Sequence, residues 1–475
     1  MTPPSTTVAG TGHAVVVGGS MAGLQAARAL TGHFDRVTVV ERDRLPDGAE
    51  PRRGVPQGRQ IHALLARGLQ GLETMFPGFG RELEGAGAVP MRLPGDVLIL
   101  GRAGWVDRRA PGWVALSATR PLIEATVLRR LRALSGVTVL DGYEATGLRA
   151  SDGGRQVRGV TLRRVHGSDG ADSAEASLVV DADLVVDASG RGSRAPAWLA
   201  ELGHGSPDAA TVDAGMAYAG RLYRMPDDAT TDWKGLMIFG DPVANPRTGY
   251  LFPVEGGRLM VGLMGAAGHH PPTDEEGFTA FMRGLRHPVL ADTLASAEAV
   301  SDIRSHRGTS NRRRHFHRMK SWPERFVVLG DAACAFDPVY GQGMTSAVIA
   351  AEALDQCLRN QRRSRPDGDL GGVARRFQRL LAHRTGEPWR FSTSEDLRYP
   401  TTTGGRSGLM MRTQHRYLGR LEAATTYDPA VADVYIRALG MLERPTVLLR
   451  PRMVAAAVRA RRTTAQTTPP ARLPT

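Results

Sequence analysis

Cysteine and lysine are the residues that this sequence has least of. Its 475 residues include only two cysteines, Cys334 and Cys357, which excludes a disulfide framework and a cysteine-built metal site. Lysine also occurs only twice, at Lys234 and Lys320, so arginine supplies 59 of the 61 basic residues. These arginines are spread along the chain and interleaved with 48 acidic residues. The skew towards arginine indicates a coding bias, and the formal net charge of +13 alone decides little about a nucleic-acid or membrane partner.

Long hydrophobic runs are also lacking. No apolar stretch approaches the roughly 18 residues that cross a bilayer, and the opening MTPPSTTVAGTG lacks the basic-then-apolar order of a secretory signal. We therefore expect a cytoplasmic protein without stable membrane insertion. The chain is 41% hydrophobic and 23% charged, which excludes disorder as its global state. Its length suits roughly two to three domains of about 150 residues.

The first informative motif lies near the start, in HAVVVGGSMAGLQAARAL followed by DRVTVVERD. An apolar run, a glycine-rich turn, an Ala/Leu-rich helix and a second apolar run predict a βαβ unit. Gly18 permits the tight turn, Gly23 permits close packing of helix and strand, and Ser20 replaces the usual middle glycine. Amides at the helix start can hold a pyrophosphate. Glu41, at the end of the second strand, can accept the ribose hydroxyls of FAD or NAD.

The second motif lies far downstream, in VVLGDAACAFDPVYGQGMTSAVIAAEAL. A buried strand is predicted to end at Gly330 and Asp331, and a turn over residues 338–343 opens a long helix. Asp331 can hydrogen-bond a polyol chain, and the amides of the turn present a positive dipole end. Such a site suits a ribityl chain and a ring that becomes anionic on reduction. An ordinary helix cap is the alternative interpretation.

Together these motifs resemble a known family. GGSMAGL with Glu41, LVVDASG, and LGDAA with PVYGQGM follow the order found in single-component (group A) FAD-dependent monooxygenases of the para-hydroxybenzoate hydroxylase type. The likeness spans residues 13–400. RRGVPQGRQIHALLARG and EDLRYP resemble the bacterial branch of that family whose members epoxidise polyene polyketides. The resemblance implies a Rossmann-like α/β FAD-binding domain, an inserted antiparallel β-sheet substrate domain and a helical C-terminal region.

The resemblance also divides the chain. The predicted FAD-binding segments are 13–80, 116–210 and 303–373. A substrate-domain excursion over 81–115 and a β-sheet over 211–302 lie between them, followed by helices over 374–462. We expect disorder at 1–12 and 463–475, and antiparallel strands in VTVLDGYEATGL and VRGVTLRRV.

Carried over by position, the resemblance assigns FAD-binding residues in both motifs and between them. These are Gly18, Ser20, Met21, Ala22, Gly23, Glu41, Arg42, Arg52, Arg59, Arg120, Gly330, Asp331, Pro338, Gly341, Gln342, Gly343 and Met344. Arg52, Arg59 and Arg120 are expected near the cofactor, with an ion-paired or solvated arginine as the alternative for each.

The source of electrons is a separate question. Group A enzymes usually carry Asp-Gly in the middle motif, whereas this chain has Ser189-Gly190. NADPH or NADH is the expected reductant, acting directly or through a partner flavin reductase. No second dinucleotide fingerprint is present, and Gly262, Gly265 and Gly268 are interpreted as a loop.

The resemblance implies oxygen transfer from a flavin hydroperoxide, formed with dioxygen, to a lipophilic substrate. Epoxidation of a polyketide-like alkene is expected, with aromatic hydroxylation as the alternative and His62 as the one candidate base. Four further classes compete with this interpretation: a halogenase or a reductase of the same fold, an NAD-dependent dehydrogenase, and a basic binding protein. No metal site is predicted. Residues expected to line the substrate pocket, on one side of the inserted sheet, are Met216, Tyr218, Leu236, Ile238, Phe252, Met260 and Leu263; plain core is the alternative for each.

Overall fold

A five-stranded parallel sheet forms the centre of the first domain. The computed structural model describes residues 12–62, 64–165, 177–460 and 468–470, so the predictions of disorder at 1–12 and 463–475 fall almost entirely outside the described residues. The predicted βαβ unit is present, with its helix at Met21–Leu30. In sheet order the strands are Phe326–Val328, Leu184–Asp187, His13–Val17, Arg36–Glu41 and Val137–Asp141. All four pairings are parallel, so the carboxyl ends of the strands lie at one edge.

The prediction for VTVLDGYEATGL is wrong in its first half. The structure divides this segment at Gly142, whose φ of +75° is unfavourable for other residues. Val137–Asp141 becomes the edge strand of the parallel sheet. Tyr143–Ala150 pairs antiparallel with Val157–Arg164, which in turn pairs with Ser177–Asp181.

Helices cover the parallel sheet and pack closely because their contact faces carry small residues. The helix Met21–Leu30 and the helix Ala66–Met75 both pack against the long helix Gly343–Ser364. A Cβ at Gly71 would lie 2.1 Å from Val348 Cγ1, so only glycine fits this contact. The remaining helices of this domain are Phe79–Gly85, Arg120–Arg132 and Ala195–Glu201.

An eight-stranded sheet forms the second domain. Seven strands follow the order Glu298–Ala299, Ala217–Arg224, Arg258–Gly265, Arg247–Val254, Gly235–Ile238, Val97–Gly101 and Gly104–Trp105, and Arg304–His306 also pairs with Ala217–Arg224. Residues 81–115 supply two of these strands and a third, Val89–Leu93, that pairs with Trp113–Ser117. The loop prediction for Gly262 and Gly265 is wrong, because both lie within a strand.

The two faces of this sheet pack against different parts of the molecule. Its outer face lies under the helices Glu275–Arg283 and Val289–Thr293 and carries Leu236, Ile238, Leu251, Val261 and Leu263. Its inner face meets segments from the first domain and carries Tyr218, Met237, Tyr250, Phe252, Met260 and Met264.

The prediction that seven residues share one side of this sheet is therefore wrong. Leu236 pairs with Leu251 and faces outward, while the next residue on that partner strand, Phe252, faces inward. Leu236, Ile238 and Leu263 belong to the outer core. Of the predicted set, Tyr218, Phe252 and Met260 lie on the inner face, and Met216 joins the inner cluster just before its strand.

Two further parts complete the molecule. A three-stranded sheet joins Ala209–Val212, Asn311–Arg314 and Cys334–Ala335, so the arginine-rich segment before the strand Phe326–Val328 is a polar strand. The C-terminal region is helical, with Val373–Arg384, Gly386–Asp396, Leu409–Ala424, Pro429–Leu439 and Pro451–Arg459. Within the described ranges, no helix is both long enough and apolar enough to cross a membrane. The predicted fold class is confirmed.

Candidate functional site

The first glycine turn, residues 18–23, needs glycine at both ends. Gly18 has a φ of +106°, and a Cβ there would lie 2.5 Å from the carbonyl oxygen of Ala188. A Cβ at Gly23 would lie 1.7 Å from the carbonyl oxygen of Gly18. Ser20 precedes the first helical residue, Met21, in an extended conformation. The turn therefore presents backbone amides at a helix start, which is the arrangement that binds phosphate groups.

The parallel sheet brings the two glycine motifs together. Gly330 has a φ of +61°, and a Cβ there would lie 2.7 Å from Ala22 Cβ in the first turn. Asp331 follows at the same edge, with Oδ2 4.0 Å from Arg191 Nε. Residues from opposite ends of the chain thus line one continuous edge, as a site for an extended dinucleotide requires.

Glu41 lies where the sequence predicts it, at the end of the second strand and beneath the first glycine turn. Its Oε2 accepts a hydrogen bond of 2.7 Å from the amide of Gly19, and its Oε1 accepts one of 2.9 Å from the amide of Asp43. The neighbouring Arg42 is exposed. Glu41 therefore holds a fixed carboxylate beside the turn.

Arg52 belongs to a buried ion-pair network. Its side chain, 7% exposed, lies 2.8 to 3.2 Å from the carboxylates of Glu124, Glu41 and Asp43. Burial opposes its charge, yet these carboxylates raise the pKa of Arg52. One nitrogen also donates to the carbonyl oxygen of Gly19. Each guanidinium nitrogen of Arg52 therefore bonds to the protein, and the side chain braces the first glycine turn. Arg52 fits an ion-paired arginine better than one that contacts the cofactor.

Arg120 reaches the first glycine turn directly. Its Nη2 donates to Ser20 Oγ at 2.9 Å and to Glu124 Oε2 at 3.1 Å. Glu124 thereby links the two arginines. Arg59 is placed differently, because it lines an open cavity of about 360 Å³ between residues 49–59 and the eight-stranded sheet.

The second glycine turn, residues 338–343, opens the 22-residue helix Gly343–Ser364. Gly341 has a φ of +66°, and no acidic residue occupies the first turn of the helix. Buried polar atoms here lack a partner among the described residues: Gln342 Oε1, Thr345 Oγ1 and Ser346 Oγ. The positive end of this helix favours an anionic group.

The middle motif, LVVDASG at residues 184–190, and Ser193 beyond it direct their polar side chains to Asp187. Asp187 is fully buried, which raises its pKa despite hydrogen bonds from Ser189 and Ser193. Ser189 donates through its amide at 2.9 Å and its hydroxyl at 2.5 Å. Ser189, the residue that departs from the usual Asp-Gly pair, therefore hydrogen-bonds to Asp187 within the motif. Next to it, Arg191 donates to the carbonyl oxygens of Ser310 and Phe336 at 2.7 Å, a role that its position in the sequence does not reveal.

The surroundings of His62 lower its affinity for a proton, which argues against His62 as a base. Its Nδ1 lies 2.9 Å from the carbonyl oxygen of Gln60, which fixes the ring. Burial, followed by the charge of Arg120, lowers the pKa of His62 to about 4. A base of such low proton affinity is poorly matched to a phenol at neutral pH.

The inner face of the eight-stranded sheet approaches the second glycine turn. Its cluster combines Met216, Tyr218, Tyr250 and Met264 with Ile61, Val339 and Tyr399. Ile61 follows the segment containing Arg59, and Val339 belongs to the second glycine turn. This apolar region is therefore the candidate substrate site. Sequence reasoning misses Met237, Tyr250 and Met264, because only the strand register places them here.

Comparisons with known structures identify the fold. A flavoprotein/dehydrogenase from Cytophaga hutchinsonii matches with a TM-score of 0.65 and 16% identity, covering 94% of this chain and 98% of that one. The myxobacterial chondrochloren halogenase CndH has a TM-score of 0.61 at 17% identity, covering 91% and 97%. PqsL of Pseudomonas aeruginosa, described as a probable FAD-dependent monooxygenase, has a TM-score of 0.55 at 17% identity, covering 82% and 98%. The fold is thus that of FAD-dependent monooxygenases and halogenases.

A relative found by sequence shows the family to which the chain belongs. Protein Rv3254 of Mycobacterium tuberculosis is 30% identical over 435 residues, which cover 91% of this chain and 90% of the relative. The chain belongs to the family of that protein. No family model matches the sequence.

Proposed function

We propose that this protein is an FAD-dependent monooxygenase that transfers one oxygen atom of dioxygen to a lipophilic substrate. The contact between the Gly330 turn and Ala22 carries the proposal, because it joins two nucleotide-binding motifs at one sheet edge. A dehydrogenase that binds NAD would account for the first glycine turn but not for the second. A basic binding protein would account for neither turn.

The residues present at this edge fit FAD. Backbone amides of the first glycine turn, with Ser20 and Arg120, would hold the pyrophosphate, and Glu41 would hold the adenosine ribose. Asp331 would bind the ribityl chain. Amides at residues 341–343 would face the flavin ring, where the orphaned buried oxygen of Gln342 also lies. When bound, FAD would supply the redox chemistry that activates dioxygen.

The inner face supports an apolar substrate. Its methionine, tyrosine and phenylalanine side chains exclude water and can orient a lipophilic molecule beside the second glycine turn. Epoxidation of an alkene needs no side-chain base, which agrees with the low proton affinity of His62. These features support an alkene-bearing, polyketide-like substrate more than a phenol that must be deprotonated.

The placement of lysine counts against a halogenase. Halogenases of this fold use a lysine near the flavin, and this chain has two lysines. Lys234 donates to the carbonyl oxygen of Pro90 in the second domain. The side chain of Lys320 is exposed, in the loop before Phe326–Val328. Within the described residues, neither lysine side chain bonds to a glycine turn.

The visible absorbance of the purified protein tests the proposal. We expect a yellow protein, or one that becomes yellow with added FAD. Anaerobic NADPH or NADH should bleach it if reduction is direct, whereas bleaching only with a flavin reductase would agree with the altered middle motif. Incubation of polyene and aromatic substrates with isotopically labelled dioxygen should give a product containing one labelled oxygen. A protein that stays colourless with FAD would refute the proposal.

A further inference from the structure

Asp337 presents an unused carboxylate oxygen to the inner face. The residue is 1% exposed and immediately precedes the second glycine turn. Its Oδ1 accepts hydrogen bonds from the Tyr218 hydroxyl and, at 3.1 Å, from the amide of Val339. No described residue donates to its Oδ2. Half of this buried carboxylate is therefore available to a ligand.

Tyr250 presents an unused hydroxyl in the same cluster. The residue is 4% exposed, and its ring packs edge-on against Phe239 and parallel to Phe252, at centroid distances of 5.5 and 6.2 Å. Within the described part of the chain, its hydroxyl has no hydrogen-bond partner. Gly262 pairs with Tyr250 in the sheet, and the side chain of Ile61 packs over Gly262, where a Cβ would lie 2.4 Å from Ile61 Cγ2.

The polar groups of Asn311, Asp396 and Tyr340, next to Asp337, have partners, whereas side-chain oxygens of Gln342, Thr345 and Ser346 around the start of the long helix also lack one among the described residues. Asn311 accepts from the amide of Asp337 at 3.0 Å and donates to Asp396 Oδ2 at 2.7 Å. Tyr340 donates to the other oxygen of Asp396 at 2.8 Å. A buried polar group that lacks a partner is costly and calls for an explanation. Here two such groups adjoin the apolar site.

Their chemistry is complementary. Burial, the charge of Tyr399 and then that of Asp337 raise the pKa of Tyr250, so this hydroxyl stays protonated and can donate. Burial raises the pKa of Asp337 to about 6, which leaves its carboxylate as an acceptor at neutral pH. A single group that both donates and accepts would satisfy the two residues together, and a hydroxyl does so.

We infer that Asp337 Oδ2 and the Tyr250 hydroxyl bind one hydroxyl group of an otherwise apolar substrate. Asp337 accepts from that hydroxyl and Tyr250 donates to it. The inference rests on the proposed function for the placement of substrate on the inner face. It adds that the lipophilic, alkene-bearing substrate also carries a hydroxyl group, which is held at the end of the site nearest the second glycine turn.

Binding of three matched probes tests the inference. Calorimetry on the FAD-loaded protein should show that 2-naphthol binds about tenfold more tightly than 2-methoxynaphthalene or naphthalene, which offer no hydroxyl. Asp337→Asn and Tyr250→Phe should each reduce this preference to about threefold or less while leaving naphthalene affinity unchanged. Tyr340→Phe is the control, because its hydroxyl bonds to Asp396, and it should keep the full preference.

The outcomes separate this inference from the proposed function. Equal binding of the three probes by the wild-type protein, or no binding of any, would overturn the inference. A preference that survives in both variants would also overturn it, and unchanged naphthalene affinity shows that each variant is folded. FAD content is read from the absorbance of the same samples. If the protein never takes up FAD, the same calorimetry is run without it, and a hydroxyl preference found there would refute the proposed function alone.

Discussion

The first glycine turn and the inner face use buried polar groups in opposite ways. At the turn, Arg52 and Arg120 are neutralised by Glu124 and its neighbours, and Glu41 accepts a hydrogen bond from the Gly19 amide. The protein's own charges thus fix the turn that would meet the cofactor. On the inner face, the oxygens of Asp337 and Tyr250 have no partner among the described residues.

This difference indicates what each region is built to do. A site for a large, chemically constant cofactor gains from a rigid frame whose charges are balanced before binding. A site that recognises one group on an apolar molecule must keep some bonding capacity free, at a cost in stability. Substitutions at the first glycine turn should therefore lower the stability of the protein. Substitutions of the unpartnered groups on the inner face should weaken ligand binding and raise stability.

Gly23→Ala tests the rigid frame most severely. The added Cβ would meet the carbonyl oxygen of Gly18, a backbone atom that cannot move without opening the turn. We expect the free energy of unfolding to fall by about 3 kcal/mol and FAD retention to be lost, as measured by urea unfolding and by visible absorbance after gel filtration.

The matched control is Gly192→Ala, near the same edge. A Cβ there meets no atom within 4 Å, and the residue does not have a left-handed backbone. We expect a change within about 0.5 kcal/mol and normal FAD content. If Gly23→Ala behaved like Gly192→Ala, the close packing assigned to the first turn would be wrong.

Glu124→Gln tests the charges that brace the turn. The change leaves Arg52 and Arg120 without their shared carboxylate, and breaking one side of a buried ion pair costs about 3 kcal/mol. Glu82→Gln is the control, because Glu82 pairs with Arg129 and Arg130 nearer the surface, where such pairs contribute about 1 kcal/mol or less. Equal losses of unfolding free energy in the two variants would show that Glu124 has no special bracing role.

The pH dependence of the unfolding free energy of Asp337→Asn tests the buried carboxylate of Asp337. Burial raises the pKa of Asp337 to about 6, above the value of about 4 for an unfolded aspartate. The carboxyl therefore favours the fold fully below about pH 4, and this contribution is lost as pH rises through about 6. Burial, then the charge of Asp337, also raises the pKa of Asp396 to about 9, so the two carboxyls titrate as a pair.

The expected result is a difference that grows with pH. Between pH 4 and pH 7, the stability of Asp337→Asn relative to wild type should improve by about 2 kcal/mol in urea unfolding. Tyr218, Asp396, Arg191 and Asp213 act on the same carboxyl and remain in both proteins. Parallel pH profiles for the two proteins would contradict the burial of a titrating group at this position.

The sequence predicts the cofactor edge better than the inner face because the two depend on different information. The glycine turns are local, since a tight turn and a close helix contact require glycine at fixed spacing. The bracing role of Glu124 is harder to predict from the sequence, because Glu124 lies four residues after Arg120 and is typical of an ordinary ion pair along a helix. Its contact with Arg52 arises only from tertiary packing.

The inner face depends on strand register. Gly235–Ile238 is apolar throughout because its two faces adjoin two different clusters, so alternation does not distinguish Leu236 from Met237. Pairing of Leu236 with Leu251 decides the question, and a shift of one residue would reverse every side chain. The sequence also mispredicts the strand Val137–Asp141, because an edge strand of the parallel sheet and a strand of an antiparallel hairpin have the same alternation of apolar and polar residues.

Tyr250→Phe and Tyr340→Phe give the smallest expected effects, and these have opposite signs. Both tyrosines are fully or largely enclosed near Asp337, and both variants lose one hydroxyl. Tyr340→Phe removes the hydrogen bond to Asp396 and should cost about 1 kcal/mol. Tyr250→Phe removes a buried hydroxyl that has no partner among the described residues and should leave stability unchanged or raise it by up to about 1 kcal/mol. Thermal unfolding of the two variants beside wild type measures this. Destabilisation by Tyr250→Phe as large as that by Tyr340→Phe would mean that the Tyr250 hydroxyl is already bonded within the protein, and the contrast between a braced first glycine turn and a receptive inner face would no longer hold.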